Sequence, residues 1–195
     1  MTPFLQDLIK LPNLISMLRI MLLPLLFYFT YNRMELWFLA TLLFSCFTDV
    51  VDGYLARRLN QVTDLGSHLD SLGDFSIYLT VTVCAWIMWP ETVMAELSYV
   101  LLIILSFTLP ALVALIKFSG FSSYHTLSVK LAVMFTVFGY VLLFSGLNPW
   151  LFRMASILCV YAALEEIAIS LVLKKERIDV RSLWHALAYK KHKQA

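Results

Sequence analysis

Apolar residues fill this chain in six long runs, at 13–31, 36–54, 69–89, 95–116, 126–145 and 150–173. Each run is close to the roughly 20 residues that a helix needs to cross the hydrocarbon core of a bilayer. The breaks at 32–35, 57–66, 90–91, 117–125 and 146–149 hold the charged, Gly, Pro and Asn residues that end helices. The pattern predicts an all-α integral membrane protein with six transmembrane helices. Ahead of the first run, Phe4, Leu5, Leu8 and Ile9 can share one face, with Asp7 and Lys10 in water, which predicts a short N-terminal interfacial helix. No small-residue cleavage site follows, so the first run reads as an anchor and not as a removable signal. After the last run, 174–195 carries seven basic residues against Glu176 and Asp179, with Leu183, Trp184, Leu187 and Tyr189 interleaved. This predicts a basic amphipathic segment on an anionic lipid surface, and makes nucleic acid a poor partner.

Composition agrees. Of 195 residues, 61% are hydrophobic and only 14% charged, with a mean hydropathy of +0.80, too little polar surface for a soluble domain. Lys and Arg placement gives an orientation. With the N-terminus cytoplasmic, that side collects Lys10, Arg57, Arg58, Lys117 and the seven basic residues of the tail, against Arg33 and Arg153 on the other. Both termini and the 57–66 loop are therefore expected on the cytoplasmic side, which in a bacterium means the inner membrane. Cys46, Cys84 and Cys159 all fall in apolar runs and read as core residues. With no internal repeat and no linker, 1–195 reads as a single domain.

Four carboxylates break the apolar pattern within 26 residues: Asp49, Asp52, Asp70 and Asp74. An isolated charge in hydrocarbon costs about 3 kcal/mol on insertion scales, so such acids face one another, a cation or water. Asp49 and Asp52 share one helical face, as do Asp70 and Asp74, and a short loop makes their helices antiparallel neighbours. All four can converge. An all-oxygen set without His or Cys suits Mg²⁺, Mn²⁺ or Ca²⁺, and four carboxylates suffice for two ions if some bridge. Paired metals of this kind stabilise the attacking and leaving oxygens of a phosphoryl displacement. Gly53 and Ala56 leave room for a bulky ligand on the same helix, and Arg57, one turn on, suits a phosphate.

The spacing resembles the signature of the CDP-alcohol phosphotransferase (CDP-alcohol phosphatidyltransferase) family, D-x-x-D-G-x-x-A-R-x8-G-x-x-x-D-x-x-x-D. Every fixed position is present, as Asp49, Asp52, Gly53, Ala56, Arg57, Gly66, Asp70 and Asp74. The resemblance implies transfer of a phosphatidyl-type group from a CDP-alcohol, such as CDP-diacylglycerol, to a small alcohol, with release of CMP. It implies two Mg²⁺ or Mn²⁺ ions on Asp49, Asp52, Asp70 and Asp74, with Asp74 also the general base toward the acceptor hydroxyl. Donor binding is implied for Asp52, Gly53, Ala56, Arg57 and Gly66, and a homodimer among membrane lipids is expected. The segment from Pro12 to Arg19 resembles the family's P-N-x-x-[ST]-x-x-R opening, which adds Asn13 and Arg19 to the nucleotide or phosphate site; the plainer reading is a helix start with an arginine snorkelling to headgroups.

Two departures bear on the acceptor. Glycerol-phosphate users often carry a Gly-Lys-x-Lys-Thr run where this chain has 124–130, and many relatives follow the last aspartate with lysine where Phe75 stands. Lys117, His125 and Lys130 are the candidates to bind an anionic acceptor, and glycerol 3-phosphate is the first choice, with serine, an inositol phosphate or choline open. Of Glu165 and Glu166, one is expected to pair with Lys130 or a polar group inside the protein. From other classes, a divalent-cation transporter has no use for Arg57 beside its ligands, and an idle scaffold has no use for four intact carboxylates.

Overall fold

The computed structural model describes residues 10–59, 63–118 and 126–173, apart from the side chains of Arg57, Asp64, Ser67, His68, Asp70, Ser71 and Phe118. Among the described residues every element is helical: α1 (Leu11–Tyr31), α2 (Glu35–Arg58), α3 (Asp64–Met88), α4 (Pro90–Ala95), α5 (Leu97–Phe118), α6 (Leu127–Phe144) and α7 (Trp150–Val172). They fall into two compact units, Met1–Glu91 and Thr92–Ala195.

In the first unit α1 packs against both α2 and α3. Pro12 sits in the first turn of α1, where the missing N–H has no helical partner to lose. The turn from α1 into α2 is tight. Asn32 closes it by donating from its backbone and side-chain nitrogens to Tyr28 O, at 3.1 and 2.8 Å. Arg33 takes a left-handed φ of 55° there and donates from Nη1 to Met88 O, the last residue of α3, at 2.8 Å. Phe38, fully buried, meets Trp89 edge to face at the same end.

In the second unit α7 packs against α5 and α6. Ala132, Cys159 and Ala162 form its buried centre, flanked by Ile103, Phe107, Val129 and Leu158. Small residues let the helices close up: a Cβ on Gly139 would lie 2.8 Å from the Phe152 backbone. Thr126 caps α6 by accepting from Val129 N at 3.3 Å, and α6 ends at Gly146, whose φ of 71° is the left-handed conformation that glycine adopts without strain. Buried Glu96 takes a two-pronged ion pair from Arg153 at 2.9 and 2.6 Å, and that guanidinium also lies over the rings of Tyr99 and Trp150.

Among the described residues, five helices are long and apolar enough to cross a membrane: α1, most of α2, α5, α6 and α7. Their outward faces carry large apolar side chains such as Met21, Trp37, Ile116, Phe138 and Leu171, which suits contact with lipid. The third predicted span differs. α3 is a 25-residue helix whose first part is polar, and Leu72–Met88 is its shorter apolar stretch, with Asp74 near its start. The break expected at 90–91 also differs, because Pro90 begins α4; proline fits a first helical position as readily as a turn. The interfacial helix expected before Lys10 and the tail after Leu173 lie outside the described residues.

Candidate active site

Three of the four acids meet around Arg19. Ser16 and Arg19 lie three residues apart on α1, hence on one face, and that face meets the end of α2 and the start of α3. Arg19 reaches Asp49 Oδ1 with Nη2 at 2.5 Å, Asp52 Oδ2 with the same nitrogen at 2.8 Å, and Asp74 Oδ1 with Nη1 at 2.8 Å. Ser16 Oγ donates to Asp52 Oδ2 at 2.7 Å, with Pro12 O 3.2 Å away. Gly73, on α3, lies under the arginine stem: a Cβ there would stand 3.5 to 3.6 Å from Arg19 Nη1 and Cδ.

Burial divides the cluster. The side chains of Arg19 and Asp52 are 2% and 6% exposed, whereas those of Asp49 and Asp74 are 40% and 42% exposed. One closed side holds the guanidinium, and one open side presents two carboxylates. Unit charges about 4 Å apart attract by about 4 kcal/mol at an effective dielectric near 20. Hydration of Asp49 and Asp74 screens their share, so the buried Arg19–Asp52 pair with its Ser16 hydrogen bond is the strongest contact of the cluster.

Asn13, also buried, organises the edge of the site. Its Nδ2 donates to Thr63 Oγ1 at 3.2 Å, and Thr63 caps α3 by accepting from Gly66 N at 3.0 Å. A Cβ on Gly66 would run into Asn13 Oδ1 and stand 3.0 Å from Thr63 Oγ1, so this glycine is required by close approach. Gly53 and Ala56 are half-buried on α2, and Asp70 stands on α3 one turn before Asp74. The side chains of Arg57 and Asp70 lie outside the described set.

The acceptor candidates belong to the second unit. Lys117 is exposed and donates from Nζ to Leu171 O at 3.0 Å; Lys130 is exposed on α6; His125 lies outside the described residues. Glu165 accepts from Ser128 Oγ, which shares a 2.8 Å hydrogen bond with Thr126, so a polar group inside the unit meets one of the two acids.

Sequence reasoning missed Ser16 as a partner of Asp52, Thr63 as the link between Asn13 and Gly66, and the Glu96–Arg153 pair. The signal for Ser16 was its place on the Asn13–Arg19 face. For Glu96 and Arg153 it was that charges among apolar helices need partners.

The donor set fits a hard divalent cation in kind: among the described side chains Asp49, Asp52 and Asp74 supply carboxylate oxygens that already collect around one positive charge. Among the described residues no three such groups close on a single metal position. A planar guanidinium, several ångströms wide, stands between them.

A family model, CDP-alcohol phosphatidyltransferase, matches residues 9–172 and so takes in all three helices of the cluster. The chain belongs to that family. Among curated proteins, it is 46% identical over 68 residues to a CDP-diacylglycerol–glycerol-3-phosphate 3-phosphatidyltransferase of Pseudomonas fluorescens, which covers 33% of this chain and 35% of that protein. A protein of the same description from Aquifex aeolicus is 43% identical over 65 residues, 33% of this chain and 36% of its own length. A cardiolipin synthase (CMP-forming) of Streptomyces coelicolor is 34% identical over 100 residues, 48% of this chain and 46% of its own. The chain thus spans about a third of the length of the first two curated relatives. No solved structure matches it.

Proposed function

We propose that this protein is an integral-membrane phosphatidyltransferase that moves a phosphatidyl group from CDP-diacylglycerol to glycerol 3-phosphate and releases CMP. The observation that carries the reading is the convergence of Asp49, Asp52 and Asp74 on one cation at the ends of apolar helices. The glycerol 3-phosphate acceptor is supported by the descriptions of the relatives from Pseudomonas fluorescens and Aquifex aeolicus.

Asp49, Asp52, Asp70 and Asp74 would hold two Mg²⁺ or Mn²⁺ ions, which when bound neutralise the diphosphate and the departing CMP. Arg57 binds donor phosphates, and Gly53 and Ala56 leave space for the nucleotide. Asn13, tied to Thr63, and Gly66 shape the site's edge. Asp74 takes the proton of the acceptor hydroxyl as its oxygen attacks the β-phosphorus and the bond to the CMP oxygen breaks. Lys117, His125 and Lys130 are assigned to the acceptor's charge. Six spans are assigned, with Leu72–Met88 as the third, and both termini and the acids are assigned to the cytoplasmic side, a reading supported by the distribution of Lys and Arg. The whole chain acts as one domain, a reading supported by the family match running through both units, and works as a homodimer.

A second reading keeps the chemistry and changes the acceptor to phosphatidylglycerol, favoured by the relatives described as cardiolipin synthases. One assay separates them. Purified protein in nanodiscs, with CDP-diacylglycerol and Mg²⁺ or Mn²⁺, is followed for CMP release with glycerol 3-phosphate, phosphatidylglycerol, serine, inositol phosphate or choline. The expected result is metal-dependent release with glycerol 3-phosphate as the best acceptor; metal-dependent release with no acceptor in the panel preferred would sink the acceptor assignment, and no release at all would sink the transferase reading.

A further inference from the structure

Arg19 has a position that binding a nucleotide does not explain. A guanidinium aimed at a diphosphate should present its N–H groups to open space, yet this one is buried with its two terminal nitrogens on three carboxylates drawn from two other helices. The approach is close, since even a Cβ on Gly73 would touch the arginine side chain at 3.5 to 3.6 Å, and Ser16 holds Asp52 from the same helix face as Arg19.

We propose that Arg19 is the resident counter-ion of the carboxylate cluster. It keeps the acids assembled while no metal is bound, and it lowers the site's metal affinity below what the acids alone would give. Two physical arguments support this. Without a cation, three carboxylates within reach of one point repel one another, which would drive the acid-bearing ends of α2 and α3 apart and leave α1 without the ion pairs that tie it to both. With the guanidinium present, an entering divalent ion meets a like charge and must compete for oxygens already engaged. The same arginine therefore acts in opposite directions on fold and on affinity, which a purely packing residue does not do. The inference rests on the proposed metal-dependent reading of this site.

The test uses the full chain in nanodiscs, purified in Mn²⁺ and then stripped with chelator. Thermal unfolding reports the metal-free fold, and Mn²⁺ titration followed by electron paramagnetic resonance reports affinity. Arg19→Gln should lower the metal-free midpoint by about 5 °C or more, as loss of one or two kcal/mol does in a chain of this size. It should also tighten Mn²⁺ binding by at least about tenfold, since removing one like charge near a divalent ion is worth that much or more. Arg19→Lys, which keeps the charge, should stay near wild type in both. Adding Asp49→Asn to Arg19→Gln should restore most of the lost midpoint, because it restores the charge balance; a packing defect would not be repaired this way. If Arg19→Gln alone cannot be purified, recovery of folded protein by the added Asp49→Asn reads the same balance. An unchanged metal-free midpoint, unchanged or weaker Mn²⁺ binding in Arg19→Gln, or no recovery in the double variant overturns the proposal. Wild-type protein that binds no Mn²⁺ overturns the functional reading beneath it, a result distinct from any difference between wild type and variant.

Discussion

At the scale of single residues, the two exposures within one acid cluster divide the work. Asp52 is enclosed by Ser16 and Arg19, so its Asn variant removes charge from the closed side; Asp49 and Asp74 are more exposed, on the side where the proposed ion or substrate would arrive. Asp49→Asn and Asp52→Asn are expected to lose CMP release to background while the protein still inserts and folds. Near-normal turnover in either, measured in nanodiscs, would sink the ligand assignment. Ser16→Ala should cost less, about 10- to 100-fold in metal affinity or activity, the usual penalty for removing a hydrogen bond behind a ligand. For Asp74→Asn, kcat should fall about 10²- to 10⁴-fold while CDP-alcohol affinity holds, as expected of a base that acts in the transition state. A parallel loss of nucleotide affinity would instead make it a metal ligand alone. How the acids pair along each helix was legible in the sequence, because spacings of three and four are fixed by helix geometry. That Arg19 would serve three of the acids was not, because nothing in the order of residues says which face of α1 meets α2 and α3.

At the scale of elements, the apolar runs located the long helices to within a few residues, since hydropathy reports what must leave water. They misjudged 90–91, where proline opens α4, and began the third run at 69, whereas the helix itself begins at Asp64 among polar residues. Contacts between distant charges stayed hidden: Glu96 and Arg153 lie 57 positions apart. Two elements offer direct tests. Gly139→Val should strain the α6–α7 contact, costing about 1 to 3 kcal/mol as overpacking does, seen as a lower unfolding midpoint with metal present. Unchanged stability would mean that α6 can shift away from Phe152 freely. Glu96→Gln should also lower the midpoint, through the loss of the charge that Arg153 grips, and should leave Mn²⁺ binding as it was. A change in metal binding there would contradict the assignment of this pair to structure.

For the whole molecule, donor and acceptor should answer to different residues. Arg57→Ala is expected to raise the KM for CDP-diacylglycerol, and Lys130→Ala to raise the KM for glycerol 3-phosphate, each with little change in the other, because an ion pair made equally in ground and transition states affects binding alone. An unchanged acceptor KM in Lys130→Ala, or a best acceptor without a phosphate, removes the acceptor class and leaves the transfer chemistry standing. The polar start of α3 has a further consequence. Its apolar part, Leu72–Met88, is 17 residues, or about 26 Å of helix, whereas all 25 residues extend about 38 Å. A bilayer core of about 30 Å slightly exceeds that apolar length, so the depth at which Asp70 and Asp74 meet the headgroups depends on how thick the surrounding lipid is. Catalysis should therefore have an optimum acyl-chain length, found by measuring turnover in nanodiscs of graded thickness. Thicker bilayers should draw the acids toward the hydrocarbon and away from the plane where a lipid carries its phosphates, so that, under the proposed function, the lipid around this protein would control the rate at which new lipid is made.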